Sequence, residues 1–233
     1  MRFSHKNRKI GYTYGSLSGR YSFRAEKSIA FESSLERDLL LLLEFNESVV
    51  DVIEQPVTIE YQNHNGRTVT YTPDFLVHFE PSPIGLMSTP YPKSLLIEVK
   101  PHEKIKKDFV KLKRKFKIGV KYARENDLIF KIYDESRIRT IELDNINFLK
   151  RYKRRSYDPS EEERILGHLG SIGHTAVDHL LAFLYVSKEQ RGIALAQIWH
   201  LISSKKIGTD IGSPLNLHSI IWLNINDNYK EAY

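Results

Sequence analysis

The chain has no cysteine, and that absence removes disulfide scaffolds, thiolate zinc sites and cysteine nucleophiles together. It also lacks any apolar run near the roughly 20 residues that a membrane span needs. The leucine run from Leu39 to Leu43 stops at Glu44. The opening MRFSHKNRKIGY holds no apolar stretch of the secretory-leader kind, so a cytoplasmic protein with no membrane partner is expected. No H-x-H or H-E-x-x-H spacing suggests zinc among the nine histidines. His78, His168 and His200 sit in apolar surroundings and read as satisfied core or surface residues. No G-x-x-x-x-G-K-S/T is present, which leaves ATP binding to some other chain, and the absence of G-x-S-x-G removes one class of serine hydrolase.

What is present is a globular composition, 41% hydrophobic and 27% charged over 233 residues, with a net charge of +6. That length suits one large domain, or a medium one with a small companion. The charge is unevenly spread. Residues 1–30 carry seven basic side chains and one acidic; residues 31–100 carry four against eleven; residues 101–155 carry eighteen against eight; residues 156–233 carry six against nine. An acidic island between basic segments suits a metal-dependent enzyme acting on nucleic acid, because carboxylates hold cations while Lys and Arg neutralise phosphates. Solvated helix faces would give the same pattern.

Three divisions follow from the local patterns. Residues 1–30, without apolar period, read as a basic arm ordered against a partner. Residues 31–155 read as an α/β domain. Ser33-Ser34-Leu35-Glu36 fits a capping box that opens a helix whose buried stripe is Leu35, Leu39, Leu42 and Leu43. Strands are expected at 49–53 and 58–61, and a hairpin at Asn65-Gly66 returns through 68–79 with an interruption at Pro73. Residues 81–93, with four prolines and a glycine, read as a loop. A strand over 95–99, one amphipathic helix over 103–124 with Ile105, Phe109, Leu112 and Phe116 on its buried face, a strand over 128–133 and a helix over 143–152 complete the unit. Residues 156–233 read as mainly α, with helices over 160–169, 175–185 and 187–204 and a small β element last, compatible with a winged helix. Leu181, Phe183, Leu184, Ile193, Leu195, Ile198 and Trp199 are its expected core. The helix over 187–204, opening with Lys188, Gln190 and Arg191, has the placing of a recognition helix. The net acidity of this stretch favours docking on protein instead.

The chemistry-bearing residues lie in Pro73-Asp74 and Glu98-Val99-Lys100. Side chains alternate along a strand, so Glu98 and Lys100 point the same way, and a paired neighbouring strand would bring Asp74 to them. Two carboxylates beside a lysine recur where phosphodiesters are hydrolysed. The acids suit a hard cation such as Mg²⁺, with Mn²⁺ as substitute, and the lysine orients water or stabilises charge on the phosphate. Spacing alone carries little, since Asp after Pro is a common turn former and a terminal Lys often marks only an exposed strand end. Glu36 is explained by its cap, yet a helix start beside the sheet also lets it face a metal. Lys104, Lys106, Lys107, Lys111, Lys113, Arg114, Lys115 and Lys117 exceed what solubility asks of one helix and favour sequence-independent phosphate contact. Arg151, Lys153, Arg154 and Arg155 read equally as an extension of that surface or as a solvated linker.

In order and spacing, Phe31-Glu-Ser-Ser-Leu-Glu36, Val49-Val-Asp-Val-Ile-Glu-Gln-Pro56, Tyr71-Thr-Pro-Asp74 and Ile97-Glu98-Val-Lys100-Pro101 resemble the TnsA endonuclease family. These are subunits of heteromeric transposases with a PD-(D/E)xK nuclease core. The resemblance implies a restriction-endonuclease-like mixed sheet flanked by helices, followed by a winged-helix-type domain. It implies cleavage of the 5′ strands at transposon ends in double-stranded DNA, beside a TnsB-like recombinase and a TnsC-like ATP-dependent regulator. Carried over by motif, Glu36, Asp74 and Glu98 are metal ligands, Lys100 is the catalytic lysine, and the Val99 carbonyl is a further metal contact. The rival readings are a stand-alone restriction or repair nuclease and a catalytically silent DNA-binding adaptor.

Overall fold

The computed structural model describes residues 17–63, 65–80 and 93–224. The first half of the expected basic arm and nearly all of the proline-rich loop lie outside those residues. The chain divides into two compact units, Met1–Arg139 and Thr140–Tyr233.

The first unit opens with an antiparallel hairpin, β1 (Gly19–Phe23) and β2 (Lys27–Phe31). The latter part of the expected arm is therefore core structure: Phe23, Ile29 and Phe31 are buried with the helix that follows. Its turn passes through Arg24 and Ala25 at positive φ. Neither residue type advertises that conformation, which hides the hairpin from a reading based on Gly and Asn. Helix α1 (Ser34–Phe45) starts at the expected N-cap, Ser33. After it come β3 (Val49–Glu54), the ribbon of β4 (Ile59–Gln62) and β5 (Thr68–Tyr71), then β6 (Phe75–Phe79) and β7 (Leu95–Val99). The expected continuous return strand over 68–79 is two strands. β5 pairs only with β4, and after Pro73 the chain joins a different sheet as β6. Proline lacks the N–H that an unbroken ladder would need there.

The main sheet has the order β3-β6-β7-β8, where β8 is Ile129–Tyr133. Its first two pairings are antiparallel and β7/β8 is parallel. A parallel pair requires a crossover, here α2 (His102–Lys107) and α3 (Phe109–Glu125). The single helix expected over 103–124 is thus interrupted at Asp108, and Phe109, expected on the buried face, is half exposed. Leu112, Phe116 and Ala123 hold α3 against the sheet. A Cβ on Gly119 would lie 2.6 Å from a Phe130 ring carbon, so glycine is what lets this helix approach β8. Strand alternation splits the core. Phe75, Val77, Ile97 and Val99 pack with α1 and the first hairpin, whereas Leu76 and Leu96 pack beside Ala123. The unit ends in α4 (Glu135–Ile138).

In the second unit, α5 (Ile141–Lys153) and α6 (Pro159–Ile172) precede β9 (His174–Ala176), α7 (Val177–Leu184), α8 (Lys188–Ser203), β10 (Ile207–Thr209) and β11 (Ile220–Leu223). The strands form one antiparallel sheet in the order β10-β11-β9. The helix expected from 175 begins as a strand because Thr175 pairs with Ile221. The division expected after residue 155 falls after Arg139, since α5 packs on α8. Phe148 meets Trp199 edge to face at 5.4 Å, and the Asn145 amide donates to the Ile211 and Ser213 carbonyls. Leu181, Ile198 and Trp199 are buried as expected, but Phe183 and Ile193 are exposed.

Candidate active site

The break between β5 and β6 is what delivers Asp74. Its backbone N–H donates to the Ile97 carbonyl at 3.0 Å, and its carbonyl accepts from Gln55 N–H at 2.8 Å. The carboxylate Oδ2 accepts from Val99 N–H at 2.7 Å. Asp74 is therefore tied to β7 through both backbone and side chain, beside the residues its chemistry needs. Glu98 is 3% exposed. Its Oε2 accepts from the Tyr71 hydroxyl at 2.8 Å and its Oε1 meets Lys100 Nζ at 2.9 Å. The same ammonium lies 3.5 Å from Asp74 Oδ2 and donates to the Val99 carbonyl at 3.0 Å. Asp74, Glu98, Val99 and Lys100, expected together from the sequence, are together.

Glu36 lies in the first turn of α1. Its N–H donates to Ser33 Oγ at 3.1 Å, and its carboxylate accepts from Ser33 Oγ at 2.9 Å and from Glu32 N–H at 2.8 Å. The reciprocal capping bond thus reaches one residue further back than the usual box. Both oxygens serve the helix start, and the carboxylate also shares a field with the acids above. Burial pushes its carboxyl above the ordinary range, with Lys100 pulling the other way. Burial pushes Asp74 up to about 7, with Glu98 and Glu36 adding and Lys100 and Val99 N–H opposing. For Lys100, burial works against the charge, but Asp74, Glu98 and Glu36 together hold it above its usual value. Each charge here is set by the others.

Asp74, Glu98, Lys100 and Tyr71 open into a polar cleft of about 270 Å³, which Glu32, Gln55, Thr72 and Lys115 also line; Glu36 is not among its lining residues. Sequence reasoning assigned no role to Tyr71, Gln55 or Glu32. Gln55 stands at φ 44°, a costly conformation for a residue with a side chain. Its amide donates to Glu32 at 3.3 Å. The donors on offer, carboxylates and a backbone carbonyl, are the hard oxygen set that Mg²⁺ or Mn²⁺ takes. Asp74 Oδ1 has no hydrogen bond among the described residues, and burial makes the carboxyl resist ionisation even beside Lys100, so a further cation would favour its charged form. On both grounds the residues fit such an ion. Among the described residues no three acidic or histidine side chains already converge on one cation-sized point. The Lys100 ammonium sits between Asp74 and Glu98 instead.

The basic residues divide over two helices. Lys104, Lys106 and Lys107 lie on α2, and Lys111, Lys113, Arg114, Lys115 and Lys117 on α3. Lys106 pairs with Glu103 at 3.4 Å, Lys113 lies 5.9 Å from the centre of the Phe109 ring, and Arg114 donates to the Gln62 carbonyl. Lys104, Lys107, Lys111 and Lys117 are exposed and have no ion pair among the described residues. Lys115, half-buried, faces the acidic cleft. At the start of α8, Gln190 closes a capping box with Ser187, and Arg191 donates to the Tyr185 carbonyl at 2.9 Å. Two of the three recognition-helix candidates are thus used locally. His78 and His200 bond Ser94 Oγ and the Tyr152 carbonyl, and His168 stacks on Phe183. Among the described residues, no helix is long and apolar enough to cross a membrane.

Two family models match the chain. The TnsA-like endonuclease N-terminal model covers residues 46–135, and the TnsA endonuclease C-terminal model covers residues 137–211. The junction between them falls where the structure divides, and the first contains Asp74, Glu98 and Lys100 while Glu36 precedes it. No curated protein matches the chain. With both models matched in order over most of its length, the chain belongs to the TnsA endonuclease family.

Proposed function

We propose that the chain is the Mg²⁺-dependent endonuclease subunit of a cut-and-paste transposase, cleaving the 5′ strands at transposon ends. The observation that carries this reading is the joint position of Asp74, Glu98 and Lys100 at the paired ends of β6 and β7. Family membership supplies the transposition context and the expected companions, a TnsB-like recombinase and a TnsC-like ATP-dependent regulator. The second unit's order of helix, strand, two helices and two strands after α5 supports a winged-helix docking module.

Glu36, Asp74, Glu98 and the Val99 carbonyl are the residues that would hold the metal. When bound, the metal supplies Lewis acidity and lowers the pKa of a coordinated water. The chain's residues do the rest. Asp74, fixed by Val99 N–H, and Glu98, fixed by Tyr71, keep their carboxylates facing one cleft. Lys100, held protonated, orients the attacking water or stabilises charge gathering on the phosphate oxygens. In-line attack then leaves a 5′-phosphate and a 3′-hydroxyl. The lysines of α2 and α3 hold the DNA backbone without reading bases.

The test is cleavage of transposon-end DNA by the purified chain with its partner recombinase and regulator in Mg²⁺. Asp74→Ala and Lys100→Ala are expected to abolish 5′-strand cleavage, about 10³-fold or more, while DNA affinity survives. Persistent cleavage by Asp74→Ala would overturn the proposal.

A further inference from the structure

Tyr71 is 4% exposed and projects from β5, a strand that shares no hydrogen-bonded ladder with the main sheet. Its hydroxyl donates to Glu98 Oε2 at 2.8 Å. An ionised carboxylate only accepts, so in this pair the phenolic hydroxyl is the donor. Glu98 has two oxygens and two partners of different kinds, one neutral and fixed, one charged and mounted on a flexible stem. With Tyr71 on Oε2, the oxygen left toward Lys100 is Oε1. A phenylalanine would fill the same space and leave Oε2 buried without a donor.

Resting on the metal-centre reading above, we propose that Tyr71 is a positioning residue for the metal. It acts through Glu98, whose carboxylate it locks in one rotation so that a single defined oxygen is presented to the ion. The role belongs to a class in which groups behind the ligands set metal affinity, with losses of about 10- to 100-fold on removal. It also gives the β4–β5 ribbon a function at the centre it flanks. The ribbon's two arms meet at its base, where the Thr58 and Thr72 hydroxyls lie 3.1 Å apart, and Arg114 of α3 donates to its Gln62 carbonyl.

The experiment is a calorimetric Mn²⁺ titration of the full chain with a short duplex, comparing wild type, Tyr71→Phe, Glu98→Gln, the double variant and Asp74→Ala. Tyr71→Phe is expected to weaken Mn²⁺ about tenfold. In the Glu98→Gln background the same substitution is expected to change affinity less than twofold, because a residue acting through Glu98 has nothing left to position. DNA affinity should be unaltered in Tyr71→Phe, which changes no charge. Unchanged Mn²⁺ affinity in Tyr71→Phe, or an equal tenfold loss in the Glu98→Gln background, overturns the proposal. If Asp74→Ala binds Mn²⁺ like wild type, the metal-centre reading fails and takes this inference with it. If Asp74→Ala loses the ion and Tyr71→Phe does not, only the inference fails. Should Tyr71→Phe not fold, carbon NMR of the wild type decides. Mg²⁺ should shift the Glu98 carboxyl resonance and leave the Tyr71 Cζ resonance in place, whereas movement of Tyr71 to its free value would show the bond broken and the proposal wrong.

Discussion

Asp74 behaves unlike an ordinary aspartate because its carboxyl is mostly desolvated, with Glu98 and Glu36 adding to that effect and Lys100 opposing it. Its ordinary value of 3.8 is pushed up to about 7 in the folded, cation-free chain. Between those values the folded protein holds a proton that the unfolded chain has released, so this group favours folding below pH 4 and loses that contribution as pH rises toward 7. The melting temperature of wild type, relative to Asp74→Asn, is expected to fall between about pH 4 and 7 and to level off above. A difference that is flat across this window would show that burial and neighbours do not shift the group. Much of this centre is legible in the sequence. Asp74, Glu98 and Lys100 are readable because strand alternation puts two of them on one face and their order and spacing match a family motif, although the bare spacing would carry little. Tyr71 does not, since its partner lies 27 positions along the chain and only the fold brings the two together. Gln55 carries no signal for a positive φ, which sequence reading expects of glycine or asparagine.

Among the elements, α2 and α3 show how a correct charge pattern sits on a misjudged frame. Periodicity continues through Asp108, so the sequence reads as one helix, but the backbone there leaves helical geometry at φ −106° and ψ 19°. The interruption gives the lysines two axes. Two of the four unpaired ones, Lys107 on α2 and Lys111 on α3, flank the break and are candidates for the proposed phosphate contact. Lys107→Ala with Lys111→Ala is expected to flatten the dependence of log affinity on log salt by about two, uniformly across DNA sequences. Salt titration by fluorescence anisotropy measures it, and an unchanged slope would remove these two from the interface. Strand 95–99 and the start of α1 are both readable, the first from its apolar residues Leu95, Leu96, Ile97 and Val99 and the second from its capping residues. The β1–β2 hairpin was not, because its turn is made by Arg24 and Ala25 and its residues look like a charged tail.

The whole chain is two units, and where the second begins alters its chemistry. Basic Arg151-Tyr-Lys-Arg-Arg155 reads as a linker only if composition alone is consulted. The apolar residues Leu143, Ile146 and Leu149 of α5 instead commit that helix to α8 and bring the basic run with it. From Thr140 onward the chain has eleven basic and eleven acidic side chains, so the net acidity that argued against DNA contact by this unit disappears. A fragment from Thr140 is expected to melt cooperatively by circular dichroism, and one from Ser156, lacking α5, to lose that transition. Equal melts would return the boundary to residue 155. The nuclease unit raises a different matter through Lys100. Most clustered acids repel one another until an ion arrives, which makes the empty state fragile. Here a tethered cation already sits among them, and on the nuclease reading proposed above the chain would fold and reach its partners with these acids already balanced. Loading the metal would then add a second positive charge beside a resident one, and the moment of cutting would pass from folding to delivery.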